Sequence, residues 1–169
     1  MMPTAPGSVV AQRFELLAPA GVGGMATVFR ARDLETGRLV ALKLLPSASQ
    51  QPQDLSRFVR EAQLLSELSH PGIVSYIAHG RPEHGVPYLA MEWLEGEDLG
   101  SRLARGPLTL DESLIILTKT TAALAVAHSR GIVHRERSTK HRICLQVAPE
   151  NLHRRRQGHD RAQAPQPRN

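Results

Sequence analysis

The sequence is poor in cysteine and has no long apolar run, and each shortage excludes a class of protein. Only one cysteine, Cys144, occurs among 169 residues. It excludes an internal disulfide framework and suits a reducing compartment. The longest apolar stretch without Asp, Glu, Lys or Arg, at residues 120–129, is about half of the roughly 20 residues that span a bilayer. Residues 1–12 lack the basic start and apolar stretch of a secretory signal. These absences predict a cytoplasmic protein without a membrane segment.

The excess of positive charge is confined to the end of the chain. Residues 1–135 carry 13 basic and 13 acidic side chains, whereas residues 136–169 carry 8 basic and 3 acidic ones. The tail could contact nucleic-acid phosphates through residues 154–156, but it has no aromatic residue to stack on a base. We therefore expect a solvated, disordered tail and no nucleic-acid partner.

Short apolar runs bounded by turn residues predict strands, and two longer periodic stretches predict helices. The predicted strands are residues 13–17, 27–31, 39–45, 73–78 and 86–92. One helix is predicted over residues 55–68 and a long one over 110–130, with a Thr109–Glu112 capping box at its start and Gly131 at its end. The predicted fold class is α+β: a five-stranded antiparallel sheet with one helix packed on it, followed by a connecting segment and the long helix.

One charged residue of the first predicted helix occupies an unusual position. Phe58 precedes Glu61 by three residues and Leu65 follows it by four, which places the Glu61 carboxylate on the apolar face. A charge buried there is costly unless it is paired. Lys43 is the only charged residue of the third predicted strand, so we expect a Lys43–Glu61 ion pair within about 4 Å. The alternative is that both side chains snorkel to solvent.

A glycine-rich turn precedes this lysine and glutamate. Residues 21–24 read Gly-Val-Gly-Gly between the first two predicted strands, and such a turn lets the backbone approach a phosphate closely. Lys43 follows Val28 by 15 residues, and Glu61 follows Lys43 by 18. A glycine loop, a strand lysine and a helix glutamate in this order are typical of protein kinases. Over residues 13–135 the chain resembles the N-terminal part of a bacterial eukaryotic-like (Hanks-type) serine/threonine protein kinase.

Several further segments carry the same resemblance. Residues 40–43 (Val-Ala-Leu-Lys) resemble the VAIK strand of the family, and residues 60–62 (Arg-Glu-Ala) resemble its helix C. Residues 88–96 are similar to the last N-lobe strand and the hinge, and residues 127–135 are similar to the start of the catalytic loop. The one small departure in the glycine loop is Ala26, which stands in place of the third glycine and adds only a methyl group.

The resemblance implies a protein-kinase-like N-lobe that binds ATP, with Mg²⁺ and a protein substrate expected for the family. It implies that Lys43 contacts the α- and β-phosphates and that Glu61 pairs with this lysine. The other residues implied for the nucleotide are Gly21, Val22, Gly23 and Gly24 in the glycine loop, Val28, Ala41 and the gatekeeper Met91 around the adenine, the backbones of Glu92 and Leu94 at the adenine edge, and Asp98 at the ribose.

The resemblance ends inside the catalytic loop. The family reads H-R-D-x-K-x-x-N there, whereas residues 134–141 read His-Arg-Glu-Arg-Ser-Thr-Lys-His. Glu136 stands at the position of the base Asp, Ser138 replaces the Lys, and His141 replaces the Mg²⁺-binding Asn; no Asp-Phe-Gly follows. Phosphoryl transfer depends on positioning and on charge neutralisation by Mg²⁺. We therefore assign no metal ligand, and expect no kinase turnover and an ATP affinity nearly independent of Mg²⁺.

Two explanations account for this break at Arg135. One is a frame change or a chimeric end of the gene, which would also explain the basic tail. The other is a divergent pseudokinase with a basic tail of its own. Residues 149–152 (Pro-Glu-Asn-Leu) resemble the end of a catalytic loop displaced by ten residues, and residues 148–150 equally resemble the end of an activation segment. We interpret these as a coincidence of three letters.

The resemblance also predicts how the chain is organised. The predicted segments are a disordered N-terminus at 1–12, a kinase N-lobe and hinge at 13–94, a partial C-lobe with helices D and E at 95–135, and the basic tail at 136–169. The long helix has apolar residues almost all round, so it should be poorly covered and prone to aggregation. The expected function is that of a serine/threonine protein kinase family member with an intact ATP-binding half but inactive as this chain. The alternative is a nucleotide-binding pseudokinase or binding module that acts through partner contacts.

Overall fold

The computed structural model describes residues 5–22, 26–46, 51–82 and 85–132. These residues form six strands and three helices. The strands are β1 (Val9–Val10), β2 (Phe14–Val22), β3 (Thr27–Asp33), β4 (Leu39–Leu44), β5 (Tyr76–Gly80) and β6 (Tyr88–Glu92). The helices are α1 (Pro52–Ser66), α2 (Leu99–Ala104) and α3 (Leu110–Ser129).

All six strands of the described residues join one antiparallel sheet in the order β1-β2-β3-β4-β6-β5. The predicted antiparallel sheet is confirmed, but the expected count of five strands is wrong, because β1 adds to its edge. Val9 pairs with Glu15 and Val10 with Phe14, and Val10 is buried. Residues 5–12 therefore differ from the predicted disordered N-terminus. A strand of two residues is too short to show a hydrophobic period.

The two faces of the sheet are already visible in the alternation along β4. Val40, Leu42 and Leu44 are buried in the larger apolar cluster, whereas Ala41 and Lys43 between them are only half-buried. A strand turns successive side chains to opposite faces, so Ala41 and Lys43 share the other face. That second face receives the helix α1.

Helix α1 begins at Pro52, a residue that suits the first turn because an N–H group there would have no acceptor within the helix. Asp54 lies in the same turn, where its negative charge is favourable near the positive N-terminal end of the helix dipole. Phe58 and Ala62 lie one turn apart and are buried in a second apolar cluster with Leu89 of β6. This cluster fixes the helix against the sheet, and with it the side of the helix that faces β4.

Side-chain caps start the two later helices. Asp98 caps α2 and accepts a hydrogen bond from the Ser101 amide at 2.9 Å. The predicted capping box of α3 is confirmed, because Thr109 and Glu112 each bind the other's backbone amide. Arg102 of α2 donates to both Glu112 oxygens at 2.9 Å, which ties the two helices together.

Helix α3 lies against the turn that follows α1. Arg130, just after the helix, donates to the Glu67 carbonyl at 3.0 Å. A Cβ atom on Gly72 would lie 3.3 Å from the Ala123 Cβ, so glycine permits this close approach. Most of the helix is open: Leu110, Leu114 and Leu117 are 75%, 52% and 63% exposed, as the sequence predicted for a poorly covered helix. Among the described helices, none is both long and apolar enough to cross a bilayer.

Candidate functional site

The predicted Lys43–Glu61 pair forms between the sheet and α1. The Lys43 Nζ lies 2.6 and 2.7 Å from the two Glu61 carboxylate oxygens. Lys43 is directed to this side by the alternation of β4, and its ammonium also lies 5.9 Å from the centre of the Phe58 ring. Both carboxylate oxygens of Glu61 thus bind one ammonium group, which fixes the position of its positive charge.

Glu61 is less buried than its sequence position suggested. Its side chain is 47% exposed, whereas that of Lys43 is 17% exposed. The buried side of α1 is formed by Phe58 and Ala62, and Glu61 lies beside them at the margin open to solvent. The expectation of a carboxylate on the apolar face is therefore corrected, although the pairing it led to is present.

Strand register brings the residues expected around the nucleotide onto one face. Val28 lies opposite Lys43, and Gly21 lies opposite Val28. On the other side of β4, Ala41 lies opposite Met91. Directly opposed residues of an antiparallel pair project to the same face. Val28, Ala41, Lys43 and Met91 therefore line one half-buried surface beneath the start of the glycine loop.

The described part of the glycine loop leaves room for a ligand. A Cβ atom on Gly21 would meet no other atom of the described residues within 4 Å, so none of them fills the space beside this strand end. Val22 is 81% exposed, and the Ala26 methyl group is buried. The predicted residues Gly23 and Gly24 lie outside the described residues. The open backbone and the lysine below it suit a chain of phosphates, because the backbone offers N–H donors and the lysine offers a positive charge.

The segment from Glu92 to Leu94, which we call the hinge, is anchored on one side. Glu92 and Ser75 are joined twice: the Glu92 amide donates to the Ser75 carbonyl at 2.9 Å, and the Ser75 amide donates to the Glu92 carboxylate at 2.9 Å. Among the described residues no acceptor is bound by the Leu94 amide. A free hinge amide beside an apolar surface fits the edge of a purine ring.

Asp98, which is predicted to contact the ribose, caps helix α2 in the structure. Its two oxygens accept hydrogen bonds from the Ser101 amide at 2.9 Å and the Ser101 hydroxyl at 3.2 Å, so it holds the first turn of α2. The ribose contact stays a prediction.

Sequence reasoning missed two charged contacts, one of which lies near this surface. The Arg30 guanidinium lies over the Trp93 ring, 5.6 Å from its centre, and so joins β3 to the hinge. Farther from the cleft, Asp33 at the end of β3 accepts two hydrogen bonds at 2.9 Å from Arg13 and others from Glu35 and Thr36. The run Asp-Leu-Glu-Thr-Gly at residues 33–37 is a turn signal that could have pointed to the second contact.

The Asp33 carboxyl is the clearest electrostatic feature of the described residues. Its side chain is 2% exposed. The hydrogen bonds from Arg13 outweigh the effect of burial and lower the pKa of Asp33 to about 2. Asp33 stabilises the fold and does not face the candidate site.

The catalytic-loop part of the prediction lies outside the described residues. Glu136, at the expected position of the base, and every residue after 132 belong to this part of the chain. Within the described ranges, no group of three or more His, Cys, Asp or Glu side chains could hold a metal ion. The described residues therefore bring together a paired lysine and an apolar surface but no such cluster.

Comparison with known sequences decides the family. A sequence profile of the protein kinase domain matches residues 14–136. The chain belongs to the protein kinase family. Within this family the chain is similar to bacterial serine/threonine kinases, which confirms the resemblance drawn from the glycine loop, Lys43 and Glu61.

Three similar proteins show how far this likeness extends. The chain is 36% identical over 148 residues to serine/threonine-protein kinase pkn3 of Myxococcus xanthus, covering 86% of this chain and 25% of that kinase. It is 43% identical over 141 residues to the DNA damage-responsive kinase RqkA of Deinococcus radiodurans, covering 80% and 20%. It also resembles the solved PknI kinase domain of Mycobacterium tuberculosis (C20A mutant), with 29% identity, a TM-score of 0.65, and coverage of 80% and 55%.

The chain thus spans between a fifth and a quarter of the length of these two curated kinases. The protein-kinase-like fold of the sheet and α1 is shown by the solved domain. The activity and substrates of a whole kinase belong to a larger unit than the described residues.

Proposed function

We propose that this chain provides the ATP-binding half of a serine/threonine protein kinase and does not catalyse phosphoryl transfer by itself. The observation that carries the proposal is the Lys43–Glu61 pair, which lies on the same face as Val28 and Ala41 and below the open end of the glycine loop. This is a cationic group, held in place by a carboxylate, next to an apolar surface.

Each part of this surface has a distinct task with ATP. Lys43 holds the α- and β-phosphates, and Glu61 keeps the lysine directed toward them. Val28, Ala41 and Met91 pack on the adenine, and the backbones of Glu92 and Leu94 bind its edge. Mg²⁺, when bound in a kinase, neutralises phosphate charge. Of the family ligands for this ion, the catalytic-loop Asn is replaced by His141, and the Asp of Asp-Phe-Gly is missing because no such motif follows.

In a complete kinase, the same site would serve transfer of the γ-phosphoryl group to a protein Ser or Thr. The substitutions in the catalytic loop argue that this chain alone lacks that step. We also propose a cytoplasmic location, on the basis of the single cysteine.

Two assays with the full chain test this proposal. Calorimetric titration or thermal shift with ATP, with and without Mg²⁺, should show weak binding that changes little with the ion. Radiolabel transfer to a generic protein substrate should be absent. Lys43→Met should abolish ATP binding, and Lys119→Met on α3 is the matched control that should retain it. Transfer that disappears in Lys43→Met would contradict the proposed inactivity.

A second candidate function is that of a pseudokinase that binds partners. The exposed leucines of α3 favour it, because Leu110, Leu114 and Leu117 form an apolar stripe at 4- and 3-residue spacing. Failure of ATP binding in the assay above, combined with a stably folded chain, would favour this function over the first.

A further inference from the structure

Arg30 and Trp93 form a contact that the proposed ATP site does not yet use. The Arg30 guanidinium carbon lies 5.6 Å from the centre of the Trp93 ring. Cation–π attraction between Arg and Trp acts within about 6 Å of the ring centre. The contact links two elements that are separate in sequence: β3, which continues the glycine loop, and the hinge.

Strand register places Arg30 on the face that would meet the nucleotide. Arg30 lies opposite Ala41, and Ala41 lies opposite Met91 at the end of β6. Val28, two residues before Arg30, projects to the same face. Arg30 therefore lies beside the surface formed by Val28 and Ala41, on the side toward the hinge. Among the described residues, no carboxylate forms an ion pair with it.

Trp93 is the residue between the two hinge groups assigned to the adenine edge. When its ring is held by Arg30, rotation of the backbone on either side is restricted. Glu92 is held from the opposite direction by its two hydrogen bonds with Ser75. Thus the hinge is fixed at Glu92 by Ser75, which directly precedes β5, and at Trp93 by Arg30 of β3, and the Leu94 amide that follows is directed by both.

We propose that Arg30 is a positioning residue for the nucleotide: by stacking on Trp93 it holds the hinge backbone in the orientation that binds the base. This inference rests on the proposed ATP site. An exposed cation–π contact corresponds to about a two- to fivefold change in an equilibrium constant. Loss of the contact should therefore weaken nucleotide binding by about that factor and leave the phosphate contacts of Lys43 intact.

The chain offers a direct probe of the stack, since Trp93 is its only tryptophan. Fluorescence quenching by acrylamide, which is uncharged, measures how open the Trp93 ring is without any nucleotide. In Arg30→Ala the quenching constant should rise. In Arg30→Lys, which keeps a cation but not the planar group, it should rise less. Arg32→Ala is the matched control: this arginine lies on the same strand and face, pairs loosely with Glu15 and has no contact with Trp93.

Titration of the same variants with ATP and with adenosine separates the possible outcomes. The proposal expects Arg30→Ala to weaken both ligands about equally, because both contain the base, and Arg32→Ala to leave both unchanged. Unaltered quenching in Arg30→Ala would overturn the stack. Altered quenching with unaltered affinities would overturn the positioning role. If the unsubstituted chain binds neither ligand, the proposed function fails and the positioning role with it, whereas the quenching result still decides whether the stack exists.

Discussion

At the scale of single residues, the two paired carboxylates Asp33 and Glu61 differ in burial and in what their charge does. Asp33 is buried and fully bonded, so its charge contributes to folding. Glu61 is half-exposed, and its pairing with Lys43 is available to a ligand. Exposed ion pairs contribute about 0–1 kcal/mol to stability, whereas an uncompensated buried charge costs several. The two carboxylates should therefore respond differently to the same substitution.

Asp33→Asn should destabilise the chain by about 2 kcal/mol at neutral pH. The pKa of Asp33 in the folded chain is about 2, below the ordinary value of 3.8, so the ionised form is favoured by folding. This contribution is complete above about pH 4 and is lost as the pH falls toward 2. Urea unfolding at pH 7 and at pH 2.5 measures it, with Asp111→Asn on the exposed first turn of α3 as the control. An equal loss at both pH values would contradict this origin.

Glu61→Gln should separate binding from stability. The pair lies at a solvent-open margin, so the free energy of unfolding should change by less than about 1 kcal/mol. ATP affinity should nevertheless fall, because the neutral amide no longer directs Lys43. Urea unfolding and ATP titration of one preparation give both numbers. A loss of several kcal/mol would mean that the carboxylate is a structural rather than a binding group.

A contact between two side chains could be predicted where one of them is a lone charge among apolar residues of the sequence. Lys43 is the only charge in an apolar strand, and the spacing of Glu61 to Phe58 and Leu65 marked it on the helix, so their pairing could be inferred. Arg30 and Trp93 each stand among other polar or apolar neighbours and are 63 residues apart in sequence. The contact between Arg30 and Trp93 depends on the order of the strands in the sheet, and this order cannot be read from short stretches of sequence.

At the scale of elements, α1 determines whether the pair forms at all. Phe58→Ala should remove about 3–5 kcal/mol of stability, since its ring is 3% exposed in the cluster with Ala62 and Leu89. It should also loosen the Lys43–Glu61 pair, because the ring lies beside the Lys43 ammonium. Thermal unfolding with and without ATP checks both effects. Val59→Ala, at an exposed site on the same helix, should change little, and a comparable loss there would contradict the role of the cluster.

The ends of a helix or strand could be predicted from the sequence where neighbouring residues mark them. The alternation of β4 and the Thr109–Glu112 capping box gave their elements within a residue. Strand β2 was predicted to stop at Leu17 but continues to Val22, because two irregularities in its register let it pass Pro19 while it stays paired with β3. Bulges of this kind break the two-residue period on which strand prediction relies.

At the scale of the whole molecule, the apolar stripe of α3 dominates behaviour in solution. We expect the purified chain to self-associate, and expect Leu114→Glu with Leu117→Lys to reduce this without unfolding the sheet, since both side chains are more than half exposed. Size-exclusion chromatography with light scattering measures the change. Thr118→Glu, on an exposed position of the same helix, is the control. A sharp monomeric profile of the unsubstituted chain would contradict this expectation.

The same stripe affects how long the chain persists in a cell. Chaperones and proteases continuously act on unfolded chains in the cell, so a loss of about 1–2 kcal/mol of stability can alter protein abundance several-fold. Exposed leucines along α3 can be recognised by chaperones and proteases even when the sheet is fully folded. Its cellular level should therefore rise when these leucines are covered or replaced by polar residues.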